Sequence, residues 1–176
     1  FEGTTGDIDI SNATKLDTVG YRAFAQSSIK TLILPSSVVK IGEEAFADCT
    51  SLTDITIFDR VTSIGGGAFN NTALYNNPDN WHNGILVIDG WLIAVDENAK
   101  YLSGIENIRG VVSGVYSNAY SLKNAVWGAG ASLPSNVETL CVTNINQYMY
   151  QIPQHLTLKN IIICDSVSES DLQYNA

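Results

Sequence analysis

The chain has 176 residues, of which 45% are hydrophobic and 15% charged, a balance that excludes a disordered segment. A net charge of −9 without any run of Lys or Arg excludes nucleic acid and anionic membrane as partners, since both are bound by clustered cations. No stretch approaches the ~18 consecutive apolar residues of a membrane-spanning helix, so no membrane insertion of this fragment is expected.

The first element is Asp7-Ile8-Asp9-Ile10, whose alternation reads as an edge strand with one wet face. Asp7, Asp9 and Ser11 also begin like a calcium loop, but Asn12 stands where that loop needs glycine and Thr18 where it needs glutamate. A phrase then recurs: Val19-Gly20-Tyr21-Arg22-Ala23-Phe24, Ile41-Gly42-Glu43-Glu44-Ala45-Phe46 and Ile64-Gly65-Gly66-Gly67-Ala68-Phe69. Its phenylalanines lie 22 and 23 residues apart, a period that means stacked supersecondary units instead of one globular core. Between the phrases, Ser28-Ile29-Lys30-Thr31-Leu32-Ile33-Leu34 matches Ser51-Leu52-Thr53-Asp54-Ile55-Thr56-Ile57, and each ends in strand alternation. Each coil therefore offers one strand to a parallel sheet, turns through a segment such as Pro35-Ser36-Ser37-Val38, and reaches the next Ile-Gly corner. There the glycine is expected to supply positive φ and the phenylalanine to fill the coil's centre.

After Phe69 the next aromatic at the equivalent place is Tyr116, 47 residues on, so about one further period has been added. Within the addition, Ile85-Leu86-Val87-Ile88, Asp89-Gly90 and Trp91-Leu92-Ile93-Ala94-Val95 predict a β-hairpin, because Asp-Gly favours the type I′ turn. A two-residue loop pairs 88 with 91, 87 with 92, 86 with 93 and 85 with 94. One face then carries Leu86, Ile88, Trp91 and Ile93, and the other Ile85, Val87, Leu92 and Ala94. Since both are apolar, both need cover. The hairpin is expected to join the solenoid and be sealed by Tyr75, Trp81 and Tyr101; the sharper reading docks a partner on the Trp91 face.

The repeat resumes in weakened form. Val111, Val115, Tyr116, Ser121, Leu122, Ala125 and Trp127 take the places of Ile41, Ala45, Phe46, Ser51, Leu52, Ile55 and Ile57. Leu133-Pro134-Ser135-Asn136-Val137 echoes residues 34–38, and Leu158-Lys159-Asn160-Ile161-Ile162-Ile163 repeats the strand phrase. About six coils result, on the order of 30 Å of stack from the strand spacing. The last strand, Ile161 to Cys164, is apolar for a terminal element, so cover by an irregular tail or by another copy of the chain is expected there.

The phrase Ile-Gly-x-x-Ala-Phe-x-x-Cys-x-Ser-Leu-x-x-Ile-x-Ile, complete at 41–57, resembles the BspA-like class of leucine-rich repeats. The resemblance covers roughly residues 8–165 and implies a curved solenoid and a bacterial surface or secreted protein used in adhesion or protein recognition. The expected fold is a leucine-rich-repeat solenoid, mainly β, with right-handed coils of about 23 residues, a parallel sheet on one face and an inserted hairpin around 85–95. One domain over 1–176 is expected, with repeats at about 8–74 and 105–165 and the insertion at about 75–104. The abrupt start at Phe1 reads as a fragment of a longer secreted protein. Inserts like Asn80-Trp81-His82-Asn83-Gly84 recur in such repeats, which favours the sealed hairpin.

Cys49, Cys141 and Cys164 are odd in number and their spacings follow no framework, so buried free thiols are expected, with Cys49 at an inward repeat position. There is no Gly-x-Ser-x-Gly elbow, no His-Glu-x-x-His and no phosphate loop, and Gly65-Gly66-Gly67 belongs to a repeat corner. His82 and His155 are far apart, and neither joins a metal-spaced ligand. No catalytic residue, cofactor or metal is therefore expected. Asn12-Ala13-Thr14 and Asn70-Asn71-Thr72 fit the glycosylation sequon. Solenoids bind along their sheets, and the strand positions facing away from the coil interior are Thr31, Ile33, Asp54, Thr56, Asn124, Val126, Asn160 and Ile162, with Trp91 added from the hairpin. The expected function is an extracellular recognition or adhesion module for a protein or glycan on a host or neighbouring cell surface, with self-association at the C-terminal end. A structural spacer within a longer adhesin is the alternative, and an enzyme's accessory domain is a distant third.

Overall fold

Strands line two sides of each regular coil. The computed structural model describes residues 4–105, 108–127, 132–142 and 156–163. On one side, β1 (Thr5–Asp9), β3 (Ser28–Ile33) and β5 (Asp54–Thr56) form a parallel sheet in that order, with Thr31 opposite Asp54 and Leu32 opposite Ile55. On the other, β2 (Thr18–Val19), β4 (Lys40–Ile41) and β6 (Ser63–Ile64) form a second parallel sheet. A single sheet was the expectation; two-residue strands are too short to show alternation, so sequence reading takes them as part of the corner.

Within the corners, rings stack. Phe24, Phe46 and Phe69 are buried, and their centroids lie 5.5 and 5.3 Å apart. Backbone bonds join the same corners in register: Phe24 and Gln26 N–H donate to Ala45 and Ala47 C=O at 2.8 Å, and Phe46 and Asp48 N–H to Ala68 and Asn70 C=O at 2.8 and 2.9 Å. Beside the rings runs a column of small polar side chains, Ser27, Cys49 and Thr72, all buried. Cys49 Sγ donates to Phe24 C=O at 2.9 Å and Thr72 Oγ1 to Phe69 C=O at 2.9 Å, so the column adds a second hydrogen bond to carbonyls that also accept from Ser27 and Thr72 N–H.

The glycine of each corner acts differently from expectation. Gly20, Gly42 and Gly65 do not have positive φ; that conformation falls two residues later, at Arg22, Glu44 and Gly67. Gly42 and Gly65 are needed for approach instead: a Cβ on Gly65 would lie 2.3 Å from Glu43 N, and one on Gly42 2.7 Å from the Gly20 carbonyl carbon. Gly20, in the first corner, has open space around it.

Above the third coil the regularity stops. Helix α1 (Ala73–Asn76), capped by Thr72, and a 3-10 turn (Pro78–Asn80) lead into an antiparallel set: β7 (Trp81–His82), β8 (Ile85–Ile88) and β9 (Trp91–Val95), with β10 (Gly110–Val111) parallel to β9. Asp89 and Gly90 both have positive φ, as a type I′ turn requires. Ile88 pairs with Trp91 and Val87 with Leu92 as expected, but a bulge follows, so Leu86 pairs with Ala94 and Ile85 with Val95. Ala94 thereby joins the cluster of Leu86, Ile88, Trp91 and Ile93, while Ile85 and Leu92 belong to a second cluster. The hairpin is thus a wall between two cores. Tyr75 and Trp81 pack on the first core, whereas Tyr101 is 65% exposed and seals nothing.

Beyond the wall, β11 (Asn124–Trp127), β12 (Thr139–Val142) and β13 (Asn160–Ile163) form a third parallel sheet. Tyr116 is buried as expected, but in the second cluster and not in the ring stack. Its hydroxyl accepts from Val126 N–H at 2.9 Å and donates to Val126 C=O at 3.0 Å, and burial pushes the phenol well above its ordinary value.

Candidate binding face

The β1-β3-β5 sheet has a buried side and a wet side, with inward and outward residues alternating over Asp7–Asp9, Thr31–Ile33 and Asp54–Thr56 after an irregularity between Gly6 and Asp7. Ile29 and Leu32 of β3 and Ile55 of β5 point inward and are buried, while Asp54 and Thr56 are exposed and Thr31 is half-buried. Register then groups the outward side chains into rows: Asp7, Thr31 and Asp54 in one, Asp9, Ile33 and Thr56 in the next. Thr31 Oγ1 donates to Asp7 Oδ1 at 2.9 Å, tying two strands on the wet side. Hydrogen bonds from Ser11, first its side chain and then its backbone N–H, hold the Asp9 carboxyl below the usual carboxylate range. Ile33 is 41% exposed within this polar surround, and Phe58, just beyond β5, is 36% exposed. Phe58 was missed because it follows the strand phrase; a large apolar side chain one residue past the last inward position, Ile57, is the signal that finds it.

The third sheet offers less surface. Val126 is fully buried, against the expectation that it faces outward, and so are Ala125, Leu140 and Cys141, which puts both faces of β11 and β12 in cover. The reason is that Leu102, Ile105 and Ile108 pack into the same cluster. Asn124 is half-buried and already engaged: its Oδ1 accepts from Leu102 N–H at 2.6 Å and its Nδ2 donates to Leu102 C=O at 2.8 Å. Asn160 and Ile162, on β13, are exposed, Ile162 by 51%. The structure therefore groups Thr31, Ile33, Asp54 and Thr56 on one face and places Asn160 and Ile162 on another sheet.

Trp91, the hairpin candidate, is only 4% exposed and cannot present a docking surface. Its ring lies on Gly110, where a Cβ would come within 2.6 Å, and the Arg109 guanidinium sits 6.0 Å from its centroid. Arg109 also locks the hairpin tip to the solenoid, donating to Asp89 C=O at 2.6 Å, Ile57 C=O at 2.5 Å and Asp59 Oδ1 at 3.0 Å. Asp89 completes the lock by accepting from Ile57 N–H at 2.6 Å.

Cys49 is a buried free thiol, but Cys141 is disulfide-bonded, which corrects the expectation of free thiols. Cys164 and His155 lie outside the described residues. Among the described residues no group of three His, Cys, Asp or Glu side chains is placed to hold a metal ion, and no helix is long and apolar enough to cross a membrane.

The BspA type leucine rich repeat region matches residues 1–86, in six copies. Over these residues the chain is similar to BspA-type leucine-rich repeats. The matched residues hold the ring stack and both regular sheets and end inside β8. No curated protein sequence matches the chain. Among solved structures, it is similar to a leucine-rich repeat protein of T. pallidum at 16% identity and a TM-score of 0.40, covering 91% of this chain and 70% of that one. It is similar to the pneumococcal vaccine antigen PcpA at 18% identity and a TM-score of 0.35, covering 84% and 50%. A leucine rich cell surface protein of Faecalibacterium prausnitzii matches at 13% identity and a TM-score of 0.29, covering 97% and 62%.

Proposed function

We propose that the chain is a non-catalytic recognition module that binds a protein or glycan partner at a cell surface through the outward face of its first sheet. The observation that carries this reading is the pair of in-register rows, Asp7-Thr31-Asp54 and Asp9-Ile33-Thr56, in which an exposed isoleucine stands among carboxylates and hydroxyls. An interface needs such an apolar anchor inside a polar rim. The disulfide at Cys141 supports work in an oxidising compartment, hence outside the cytoplasm. The BspA-type repeats at 1–86 support a surface or secreted protein.

The test is capture of a partner from host and bacterial surface extracts with the purified chain, followed by titration of that partner against a variant carrying Ile33→Ala, Asp54→Ala and Thr56→Ala. Affinity is expected to fall at least about tenfold, or ~1.4 kcal/mol, while thermal stability stays nearly constant, since exposed substitutions cost about 0.5 kcal/mol or less each. A partner bound equally well by the variant overturns the sheet-face reading and leaves a spacer in its place.

A further inference from the structure

The corner ladder parts where the hairpin enters, and the opening has the chemistry of a sugar site. Between the third corner and the one at 112–118, the backbone bond found among the described residues is Ser113 N–H to Ile64 C=O at 3.1 Å, one residue out of the ladder's register because Val112 N–H, the equivalent of Gly65 N–H, donates to Leu92 C=O instead. The bonds that continue the ladder, from Phe69 and Asn71 N–H to Val115 and Ser117 C=O, are absent among the described residues. Above Ser113 the two corners diverge around a cavity of about 270 Å³, lined by Asn70, Tyr75, Ser117 and Asn118 among others. It adjoins a second cavity of about 380 Å³ that shares Tyr75, Val95 and Asn118 and adds Trp81, Asp96, Glu97 and Asn98. Small-molecule sites run to about 300–1,000 Å³, so the joined groove has room for more than one sugar ring.

We propose that this groove binds a short neutral oligosaccharide. Three amide side chains, Asn70, Asn98 and Asn118, make no hydrogen bond among the described residues and stand around the opening. Each amide both donates and accepts, which matches hydroxyl groups that do the same. Tyr75 and Trp81 are half-buried and meet edge to face with centroids 5.4 Å apart, offering apolar surface for the C–H face of a pyranose. Trp81 Nε1 donates to Tyr75 C=O at 2.7 Å, which fixes the pair before any ligand arrives. Neither Lys nor Arg lines either cavity, and Asp96 and Glu97 stand on the rim, so sialylated or uronic sugars are disfavoured.

The site is separate from the first sheet and does not rest on the sheet-face reading. Saturation-transfer NMR on the intact chain, with a panel of neutral tri- and tetrasaccharides built from glucose, galactose, mannose and N-acetylglucosamine, is the direct test. Transfer to at least one neutral member is expected, with its sialylated counterpart at least tenfold weaker. A double variant with Asn98→Ala and Asn118→Ala should lose at least tenfold in affinity with no change in melting temperature, while the triple substitution at 33, 54 and 56 leaves sugar binding intact. No transfer to any neutral sugar, a preference for the sialylated form, full affinity in the double variant, or selection of a displayed peptide at the groove in place of a sugar would each overturn the proposal.

Discussion

The stack over residues 4–74 and the seam around the hairpin solve the same problem by different means. In the stack, each coil satisfies its neighbour through backbone bonds in register, and the side chains need only be small, apolar and repeated. At the seam the backbones no longer match, and four side chains substitute for missing peptide partners. Asp89 accepts from Ile57 N–H, Arg109 donates to Ile57 C=O, Asn124 bridges both backbone groups of Leu102, and the Tyr116 hydroxyl bridges both groups of Val126. A solenoid can therefore absorb an insertion of about one period, provided polar side chains close the ladder where it breaks.

That comparison can be broken most strongly at the ring stack. Phe46→Ala removes the middle ring of three and is expected to cost about 3–5 kcal/mol, read by chemical denaturation; a loss below about 1 kcal/mol would mean the rings do not hold the coils together. Next in size is a matched pair at one repeat position. Gly65→Ala drives a Cβ into Glu43 backbone and should cost about 1–3 kcal/mol or more, whereas Gly20→Ala, with open space around it, should stay within about 0.5 kcal/mol. Equal effects at the two glycines would remove close approach as the reason for the motif.

At the seam, Tyr116→Phe removes the hydroxyl that bridges both backbone groups of buried Val126, and Asn124→Ala removes the amide that does the same for Leu102. Each is expected to cost about 1–3 kcal/mol. If both are neutral in denaturant titrations, the side chains are not the ladder's replacement. The smallest effect concerns acid. Glu138 accepts from Lys159 Nζ at 2.7 Å and Lys123 Nζ at 3.1 Å, and these bonds hold its carboxyl below the ordinary 4.5. A depressed carboxyl contributes stability that is present above its unfolded value and lost as pH falls through the folded one. A Glu138→Gln variant should therefore lose less melting temperature than the parent on acidification below 4.5; identical acid shifts would show that this ion pair couples nothing.

How much the sequence discloses follows the same boundary. Period and alternation reveal Phe24, Phe46, Phe69, the strands of the first sheet and the Asp-Gly hairpin, because those features repeat or are local. Val126 looks outward by alternation, yet it is buried in one cluster with Leu102, Ile105 and Ile108, a grouping that no local pattern encodes. Asn124 reads as a surface polar residue, and only the broken ladder gives it Leu102 as a partner. The bulge at Leu86 shifts Ala94 to the other core because the hairpin must meet two surfaces at once. The grouping of Asp7, Thr31 and Asp54 into a row was accessible from the repeat alignment, while the groove at Tyr75 and Asn118 arises from a register lost in three dimensions and left no mark in the spacing.

The buried thiol of Cys49 has a kinetic consequence. A thiol reacts as its thiolate and only where reagent can reach it, and Cys49 is wholly enclosed between Ser27 and the Phe24 carbonyl. Its alkylation must wait for the first and second coils to separate, so the labelling rate measures how often that one junction comes apart. Because coils touch only their neighbours, such a clock distinguishes unzipping from the N-terminal end from a rupture at the seam.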